Sequence, residues 1–290
     1  MKIGFIGLGN MGAPMAANLA AAGHDVTGHD IATRPEGLTV SDSPAGAVSD
    51  AEVVITMLPD GPALRQVARE IYPFMMQGAI HLDCSTVDVD SARDVADLAR
   101  QHGLLAADAP VSGGIGGARA GTLTFMAGGP AEAFGDLRPL FEVMGQRMVH
   151  CGGAGAGQAA KICNNLILGA TMIATCEAFA LADKLGLSRK SMFDVVSTSS
   201  GSSWSLTSYC PAPDIGPASP ADQGYVPGFA AELMLKDLGL SQQAAEAVDA
   251  ATPMGKAAFA LYRRFVEEDG GRGRDFSAML PYLADKGRAP

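Results

Sequence analysis

The sequence is poor in the residue types that mark several classes of protein. Only 6% of its 290 residues are aromatic and 18% are charged, and the formal net charge is −10. No basic run is long enough to form a stripe for a polyanion, so DNA and RNA are not expected as partners. The apolar share of 48% and the 36 glycines favour a compact α/β protein over a disordered chain.

Signals for disulfides, metals and membranes are also weak. The five cysteines are scattered, odd in number and without metal-ligand spacing, which predicts reduced thiols in the cytoplasm and no metal site. No signal peptide is expected, because strand-forming residues follow Lys2 at once. The uncharged stretch between Lys161 and Glu177 is shorter than a membrane span, so no membrane partner is expected.

What the chain does have is a glycine-rich turn near its start. A short apolar run, Lys2–Ile6, leads into a turn formed by Gly7, Leu8, Gly9, Asn10, Met11 and Gly12. In a G-x-G-x-x-G turn that opens a helix, the first glycine allows the tight turn and the second lets a pyrophosphate approach the backbone. The third lets the helix pack closely on the strand. Since free N–H groups at a helix start attract anions, the pattern predicts a dinucleotide site.

An acidic residue indicates which dinucleotide is preferred. The second predicted strand, Asp25–His29, ends directly before Asp30. A carboxylate at this position accepts hydrogen bonds from the adenosine ribose and repels a 2′-phosphate, so NAD is expected in preference to NADP. Arg34 could soften that exclusion, but it is interpreted as a solvated loop residue.

Up to about residue 150, apolar runs alternate with helical stretches such as Asp90–His102 and Pro130–Met144. The predicted strands are Lys2–Ile6, Asp25–His29, Val53–Met57, Ala79–Asp83, Leu104–Asp108, Leu123–Gly128 and Arg147–His150. This alternation predicts an α/β domain with a doubly wound, mostly parallel sheet and helices on both faces. In such a sheet the ligand crevice lies at the carboxyl ends of the strands.

Beyond the glycine cluster at 151–157 the strand pattern stops, so we place a domain boundary near residue 152, with a domain at 1–152 and an all-helical one at 153–290. One long apolar helix is predicted over Gln158–Leu185, closed by Gly186 and buried on most of its sides. Ser188 is expected to cap the next helix. The later predicted segments are the helices Ala230–Ala250 and Pro253–Glu268 and an irregular stretch, Ser197–Pro227, long enough to be functional.

The strongest candidate for chemistry is a lysine in the long helix. Oxidation of an alcohol by NAD usually uses a histidine base, but all five histidines precede residue 151 and are expected to be surface or packing residues. Lys161 and Asn165 are one helical turn apart and therefore share a face. Burial among apolar residues disfavours an ammonium, which would make this amine a usable acid or base. A snorkelling lysine with a structural asparagine remains the alternative.

Two further stretches carry suitable polar groups. Ser112, Gly113 and Gly114 follow a strand end, where a hydroxyl and two glycines can form a small nest of donors for a carboxylate. An ordinary flexible loop is the alternative there. Lys236 and Asp237 are adjacent on a predicted helix; because neighbouring positions do not face each other, a simple ion pair is not expected, and a surface location is the commoner explanation.

Taken together, these stretches resemble the β-hydroxyacid dehydrogenase family, and the resemblance runs over almost the whole chain. The segments that carry it are 5–12, 108–114, 157–165 and 234–237, with support from 199–206 and 227–231. The resemblance implies a Rossmann domain followed by an all-α domain like the C-terminal part of 6-phosphogluconate dehydrogenase, with the active site in the cleft between them. It further implies an oxidoreductase that uses NAD and assembles as a homodimer or homotetramer.

The resemblance also assigns roles to residues. Lys161 matches the catalytic lysine. The matches to substrate-binding positions are Ser112, Gly113, Gly114, Asn165, Trp204, Tyr209 and Asp237. The matches to cofactor-binding positions are Gly7, Leu8, Gly9, Asn10, Met11, Gly12, Asp30, Leu58, Pro59, Thr86 and Lys236. The family's usual asparagine a few residues after Leu58-Pro59 is absent, since the chain has Asp60-Gly61-Pro62-Ala63 there.

The substrate implied first is (S)-3-hydroxyisobutyrate. Tartronate semialdehyde or D-glycerate, L-serine and 3-hydroxypropionate remain open as alternatives, because all share a carboxylate and a β-hydroxyl. A 6-phosphogluconate substrate is disfavoured, since the chain is short and offers no evident arginine cluster. A non-catalytic NAD-binding module is the alternative from another class, and the presence of Lys161 opposes it.

Overall fold

In the computed structural model, which describes residues 1–286, the chain divides into two compact units, Met1–Lys161 and Ile162–Pro290. One helix runs from the end of the first unit into the second. The first unit contains every strand of the described chain. The strands are β1 (Lys2–Ile6), β2 (Asp25–His29), β3 (Thr39–Val40), β4 (Val53–Thr56), β5 (Ile80–Asp83), β6 (Leu105–Asp108), β7 (Val111–Ser112), β8 (Leu123–Gly128) and β9 (Gly145–Gly152).

These strands form one sheet in the order β3-β2-β1-β4-β5-β6-β8-β7, with β9 also paired to β8. Every pair is parallel except the two in which β8 meets β6 and β7. The order reverses direction at β1, so the crevice at the carboxyl ends of β1 and β4 is the ligand-binding edge of this fold. The predicted doubly wound, mostly parallel sheet is confirmed.

The helices are assigned as follows over residues 1–286. They are α1 (Gly12–Ala21), α2 (Pro44–Val48), α3 (Gly61–Ile71), α4 (Val89–Gln101), α5 (Gly114–Ala120), α6 (Phe134–Met144), α7 (Ala156–Leu185), α8 (Arg189–Val196), α9 (Trp204–Thr207), α10 (Ala231–Ala247), α11 (Pro253–Glu267) and α12 (Met279–Lys286). Short 3₁₀ helices lie at Tyr72–Phe74, Ala131–Ala133, Pro220–Gln223 and Phe276–Ala278.

Alternation along the central strands gives the sheet a hydrophobic core on each face. On β1, Phe5 belongs to a cluster with Met15 of α1 and Leu137 of α6. The next residue, Ile6, belongs to a second cluster with side chains of α3 and α4. Because successive strand residues point to opposite faces, the predicted helices on both faces follow directly from this pattern.

The second unit is helical and has a core of its own. Phe179 of α7 and Tyr262 of α11, both fully buried, pack in one cluster with residues of α10 and α12. The predicted stop and start signals between α7 and α8 are present: Gly186 has a φ of +74°, and the Ser188 hydroxyl accepts the N–H of Ser191 at 3.1 Å.

The prediction that α7 is buried on most sides is wrong for the chain by itself. Ile167, Leu181 and Leu185 are 61%, 58% and 74% exposed. By length and composition α7 qualifies as one candidate membrane span, with a mean hydropathy of 1.5 over a window that is 39% buried, a test that core helices also pass. Uniform hydrophobicity therefore predicts that a helix is buried, but it does not identify the surface that covers the helix.

Several short elements differ from the sequence-based expectation. Strands β3 and β7 have only two residues each, too few to show a period. The stretch Ser197–Pro227 is irregular except for α9 and one 3₁₀ helix. At Asp60, where the family's asparagine is missing, the carboxylate accepts the N–H of Ala63 at 2.9 Å and caps α3.

Candidate active site

The glycine turn between β1 and α1 has the geometry that a pyrophosphate requires. Gly7 has a φ of +97°, and its N–H donates to the His29 carbonyl at 2.9 Å. A Cβ on Gly12 would lie 1.9 Å from the Gly7 carbonyl oxygen, whereas one on Gly9 would meet nothing within 4 Å. Gly12 is therefore required for packing, and the backbone at Gly9 is open to a ligand.

The same turn presents unused donors. Among the described residues, no acceptor is found for the backbone N–H groups of Gly9, Asn10 and Met11. A pocket of about 460 Å³ opens beside them and is lined by Leu8, Gly9, Asn10, Ala13, Pro14, Thr33, Arg34, Pro35 and Arg119. The open donors, the helix start and Arg119 all suit an anionic dinucleotide, so the residues present fit NAD.

Asp30 is anchored by the loop that follows β2. Its Oδ1 accepts the N–H groups of Ala32 and Thr33, and its Oδ2 accepts the N–H of Leu8 at 2.7 Å. Burial by itself would raise the pKa of Asp30, but these N–H donors outweigh it and hold the pKa below its usual value. The carboxylate is thus ionised, and Oδ2 can accept one more hydrogen bond, as a ribose hydroxyl would supply.

Arg34 is already paired in this structure. Its guanidinium lies 2.9 Å from the Asp42 carboxylate, and both side chains are largely exposed. This neutralising partner opposes the capture of a 2′-phosphate by Arg34. The pair supports the interpretation that Arg34 does not override the preference set by Asp30.

The ends of β4 and β5 are tied together beside the predicted cofactor residues Leu58, Pro59 and Thr86. The Leu58 N–H donates to the Ser85 hydroxyl at 2.8 Å, and that hydroxyl donates to Asp83 Oδ1 at 2.6 Å. The Thr56 hydroxyl donates to the same Asp83 oxygen at 2.7 Å. The two loops are therefore held at one edge of the sheet by a buried carboxyl group.

A buried histidine continues this network away from the edge. His81 Nε2 lies 2.9 Å from the Thr56 hydroxyl, and Nδ1 lies 2.6 Å from the Tyr72 hydroxyl. Complete burial lowers the pKa of His81 to about 4. The residue is neutral at physiological pH, in agreement with the packing role expected for the histidines.

Lys161 lies at the end of the first unit and is only 8% exposed. Its Nζ donates to the Val111 carbonyl at 2.7 Å, directly before Ser112 in the chain. The structure thus brings the predicted catalytic amine beside the predicted carboxylate-binding loop. Gly113 and Gly114 continue that loop with φ values of +133° and +60°, which favour glycine.

Two residues that sequence reasoning missed fasten the start of α7. Asp108, at the end of β6, accepts the N–H of Gly155 at 2.7 Å and of Gln158 at 2.9 Å. Burial raises the pKa of Asp108, although the same N–H donors oppose that rise. Gln158 is fully buried. The only sequence signal was an acidic residue at a strand end followed by a helix start.

In the second unit, three of the predicted residues form a connected group. Asn165 Nδ2 donates to Asp237 Oδ2, and Asn165 Oδ1 accepts from the Asn164 amide at 2.8 Å. The other Asp237 oxygen lies 3.5 Å from Lys236 Nζ, with Asp237 buried and Lys236 about one-third exposed. The expectation that Lys236 and Asp237 form no simple ion pair is therefore wrong, because the lysine's flexible chain folds back toward its neighbour.

Trp204 and Tyr209 form a separate aromatic pair in the second unit. Their rings stack with centroids 5.1 Å apart, and Trp204 is 53% exposed. The Tyr209 hydroxyl donates to Asp275 Oδ2 at 2.8 Å, and the same oxygen accepts the N–H groups of Gly228 and Phe229. Burial, then the charge of Asp275, raises the pKa of Tyr209. The hydroxyl is thus used within the fold, and substrate binding by this pair stays a prediction.

Comparisons with known families match two successive parts of the chain. Residues 2–153 match the NAD binding domain of 6-phosphogluconate dehydrogenase. Residues 155–283 match the domain described as NAD-binding of NADP-dependent 3-hydroxyisobutyrate dehydrogenase. These matches bear out the prediction that the cofactor is a nicotinamide dinucleotide.

Individual relatives cover nearly the full chain. A 3-hydroxyisobutyrate dehydrogenase and an NAD-dependent L-serine dehydrogenase of Pseudomonas aeruginosa are each 45% identical, over 96% of both chains. The solved structure of Mycobacterium tuberculosis 3-hydroxyisobutyrate dehydrogenase with L-serine is 46% identical, with a TM-score of 0.92 over 97% of this chain and 98% of that one. The chain therefore belongs to the β-hydroxyacid dehydrogenase family, and its N-terminal unit is an NAD-binding domain.

Proposed function

We propose that this chain catalyses the reversible, NAD-dependent oxidation of (S)-3-hydroxyisobutyrate to methylmalonate semialdehyde. The observation that carries the proposal is the buried Lys161 amine, 2.7 Å from the Val111 carbonyl and next to Ser112, in the unit that holds the nucleotide turn. A buried amine beside a nest of donors is what a β-hydroxy acid requires. The names of the relatives support this substrate.

In this proposal the first unit binds and orients the cofactor. The N–H groups of Gly9, Asn10 and Met11 hold the pyrophosphate, and Asp30 accepts from the adenosine ribose. Leu58, Pro59 and Thr86, at the ends of β4 and β5, contact the remainder. A bound NAD would supply the acceptor for the hydride of the primary carbinol carbon of the substrate.

Lys161 moves the proton. In the oxidation direction its neutral amine accepts the proton of the substrate hydroxyl, and in reduction the ammonium returns it. The Val111 carbonyl binds one N–H of this amine and so fixes the direction of Nζ. The Ser112 hydroxyl and the N–H groups of Gly113 and Gly114 bind the substrate carboxylate, which sets the hydroxyl beside the amine.

Asn165 follows Lys161 by one turn of α7 and binds the substrate oxygen. One N–H of its amide is held by Asp237, which leaves the second N–H as the donor. Because Asn164 binds the amide oxygen, the orientation of this group is defined before substrate arrives. Lys236 Nζ lies 3.5 Å from the other oxygen of Asp237, so the two side chains form an ion pair next to Asn165.

The test is Lys161→Met, which keeps the length of the side chain and removes the amine. We expect kcat to fall about 10²–10⁴-fold, the usual contribution of a general base, while NAD binding measured by calorimetry is retained. The matched control is Lys256→Met, at an exposed lysine on α11. Near-full turnover of Lys161→Met would refute the assignment.

The pH profile provides a second readout of the same variant. Oxidation by the wild type should accelerate as the amine loses its proton, and this rise should disappear in Lys161→Met. A wild-type rate that stays flat toward alkaline pH would contradict the role of the amine.

L-Serine is the second candidate substrate, because one relative is named for it and a solved relative carries it. A panel of 3-hydroxyisobutyrate, L-serine, D-glycerate and 3-hydroxypropionate, each with NAD and NADP, ranks the alternatives by kcat/KM. The highest value with another acid would replace 3-hydroxyisobutyrate. NAD binding without turnover on every acid would leave only a nucleotide-binding module.

We further propose that a second copy of the chain covers the exposed face of α7, giving a homodimer or homotetramer. The supporting observation is a seam with alternating spacings of four and three, as in helices that pair lengthwise. Its members are Ile167, Thr171, Ala174, Ala178, Leu181 and Leu185. Light scattering should show an assembly that Leu181→Glu disrupts, and a monomeric wild type would refute the proposal.

We also propose that the enzyme acts in the cytoplasm, in the breakdown of valine.

A further inference from the structure

The first turns of α7 are attached to the loop that contains Thr86. The fully buried side chain of Gln158 makes two hydrogen bonds there: Oε1 accepts the N–H of Val87 at 3.1 Å, and Nε2 donates to the Ser85 carbonyl at 2.8 Å. Ser85 and Val87 are the neighbours of Thr86 on either side. One amide therefore holds the backbone on both sides of a predicted cofactor contact.

The end of β6 fixes where the same helix begins. Both oxygens of Asp108 accept N–H groups of its start, at Gly155 and Gln158. There is no spare room at this point, since a Cβ on Gly157 would lie 2.2 Å from the Met126 carbonyl oxygen. The backbone at the start of α7 is therefore packed closely against β6 and β8.

Gln158 and Lys161 are three residues apart and share a face of α7. The first binds the loop around Thr86, and the second binds the Val111 carbonyl beside Ser112. A rotation of the helix that broke the bonds of Gln158 would carry the Lys161 amine along with it. The position of the Lys161 amine relative to the loop that contains Thr86 thus depends on the side-chain amide of Gln158.

We propose that Gln158 is a positioning residue, which holds the Lys161 amine at a fixed position relative to the loop that contains Thr86. This inference rests on the proposed role of Lys161. A side-chain amide is required because its surroundings offer one donor, the Val87 N–H, and one acceptor, the Ser85 carbonyl. Methionine has the same length and makes neither bond. Glutamate can accept from the Val87 N–H, but its second oxygen can donate to the Ser85 carbonyl only when the carboxyl group is protonated.

The first experiment compares Gln158→Met with Gln243→Met, which makes the same change at an exposed position of α10. We expect kcat of Gln158→Met to fall about 10²-fold, the effect of a small misplacement of a catalytic group. The KM for the hydroxy acid should change little, and Gln243→Met should behave as wild type. Wild-type kcat in Gln158→Met would overturn the proposal.

A double-mutant cycle then asks whether the effect passes through the lysine. In the Lys161→Met background, Gln158→Met should cause no further loss of kcat, because the group it positions is already gone. An equal loss in both backgrounds would show that Gln158 acts elsewhere and would overturn the proposal. Full turnover of Lys161→Met alone would instead remove the proposed function, and this inference with it.

Gln158→Glu keeps the proposal testable if the methionine variant fails to fold. Its kcat relative to wild type should rise as the pH is lowered, because protonation converts the carboxylate into a donor for the Ser85 carbonyl. The melting temperature of each protein, followed at every pH, identifies a loss of folding. A ratio of kcat values that does not change with pH in folded protein would refute the requirement for an amide.

Discussion

Replacing Asp83 by asparagine should change how stability depends on pH. Asp83 ends β5 and is 3% exposed. Its Oδ1 accepts hydrogen bonds from Thr56 and Ser85, while Oδ2 has no hydrogen-bond partner among the described residues. Burial raises the pKa of Asp83 from its ordinary value of 3.8 to about 6, although the hydroxyl donors oppose the rise and the charge of Asp108 adds to it.

The magnitude follows from the two pKa values. A carboxyl group whose pKa is raised on folding binds its proton more tightly in the native state, so its ionisation destabilises the fold. The stabilisation that the native state gains from this bound proton is complete below pH 3.8 and is lost as the pH rises through about 6. Since one pH unit corresponds to about 1.4 kcal/mol, the loss amounts to about 3 kcal/mol.

The assay is urea unfolding of wild type and Asp83→Asn at several values between about pH 4 and pH 8. Asparagine keeps the acceptor for Thr56 and Ser85 but does not titrate, so the variant should gain stability relative to wild type as the pH rises, by about 3 kcal/mol in all. Asp136→Asn, at an exposed position of α6, is the control. A stability difference between Asp83→Asn and wild type that is independent of pH would contradict the raised pKa of Asp83.

Three further changes test the cofactor site. Gly9→Ala should fold normally, because its methyl group meets nothing within 4 Å in the protein, and it should weaken NAD binding, because that group occupies the open side of the turn. Gly12→Ala should lower the melting temperature, because its Cβ would lie 1.9 Å from the Gly7 carbonyl oxygen. Calorimetry with NAD and thermal unfolding separate the two effects, and unchanged NAD affinity in Gly9→Ala would contradict the pyrophosphate position. Asp42→Ala removes the partner of Arg34 and should raise kcat/KM with NADP relative to NAD, most strongly at low salt. An unchanged ratio would show that the pair does not select the cofactor.

The sequence specifies those parts of the site that depend on neighbours in the chain. The glycine turn and Asp30 were predictable because each glycine answers a local steric demand and the acidic residue follows a recognisable strand. Strands β1, β2 and β8 were predicted with the bounds they have in the structure. The alternation of strands and helices was sufficient to predict the doubly wound sheet, since a two-residue period and a 3.6-residue period are properties of local geometry.

The tertiary structure decided which distant groups meet. Asp108 and Gln158 are 50 residues apart, and Gln158 reaches a carbonyl 73 residues away at Ser85. No local pattern marks such contacts, because a buried polar residue is recognisable only by the donor or acceptor that the fold brings to it. The exposed face of α7 was missed for the same reason: hydrophobicity is a property of the residue, whereas burial is a property of what packs against it.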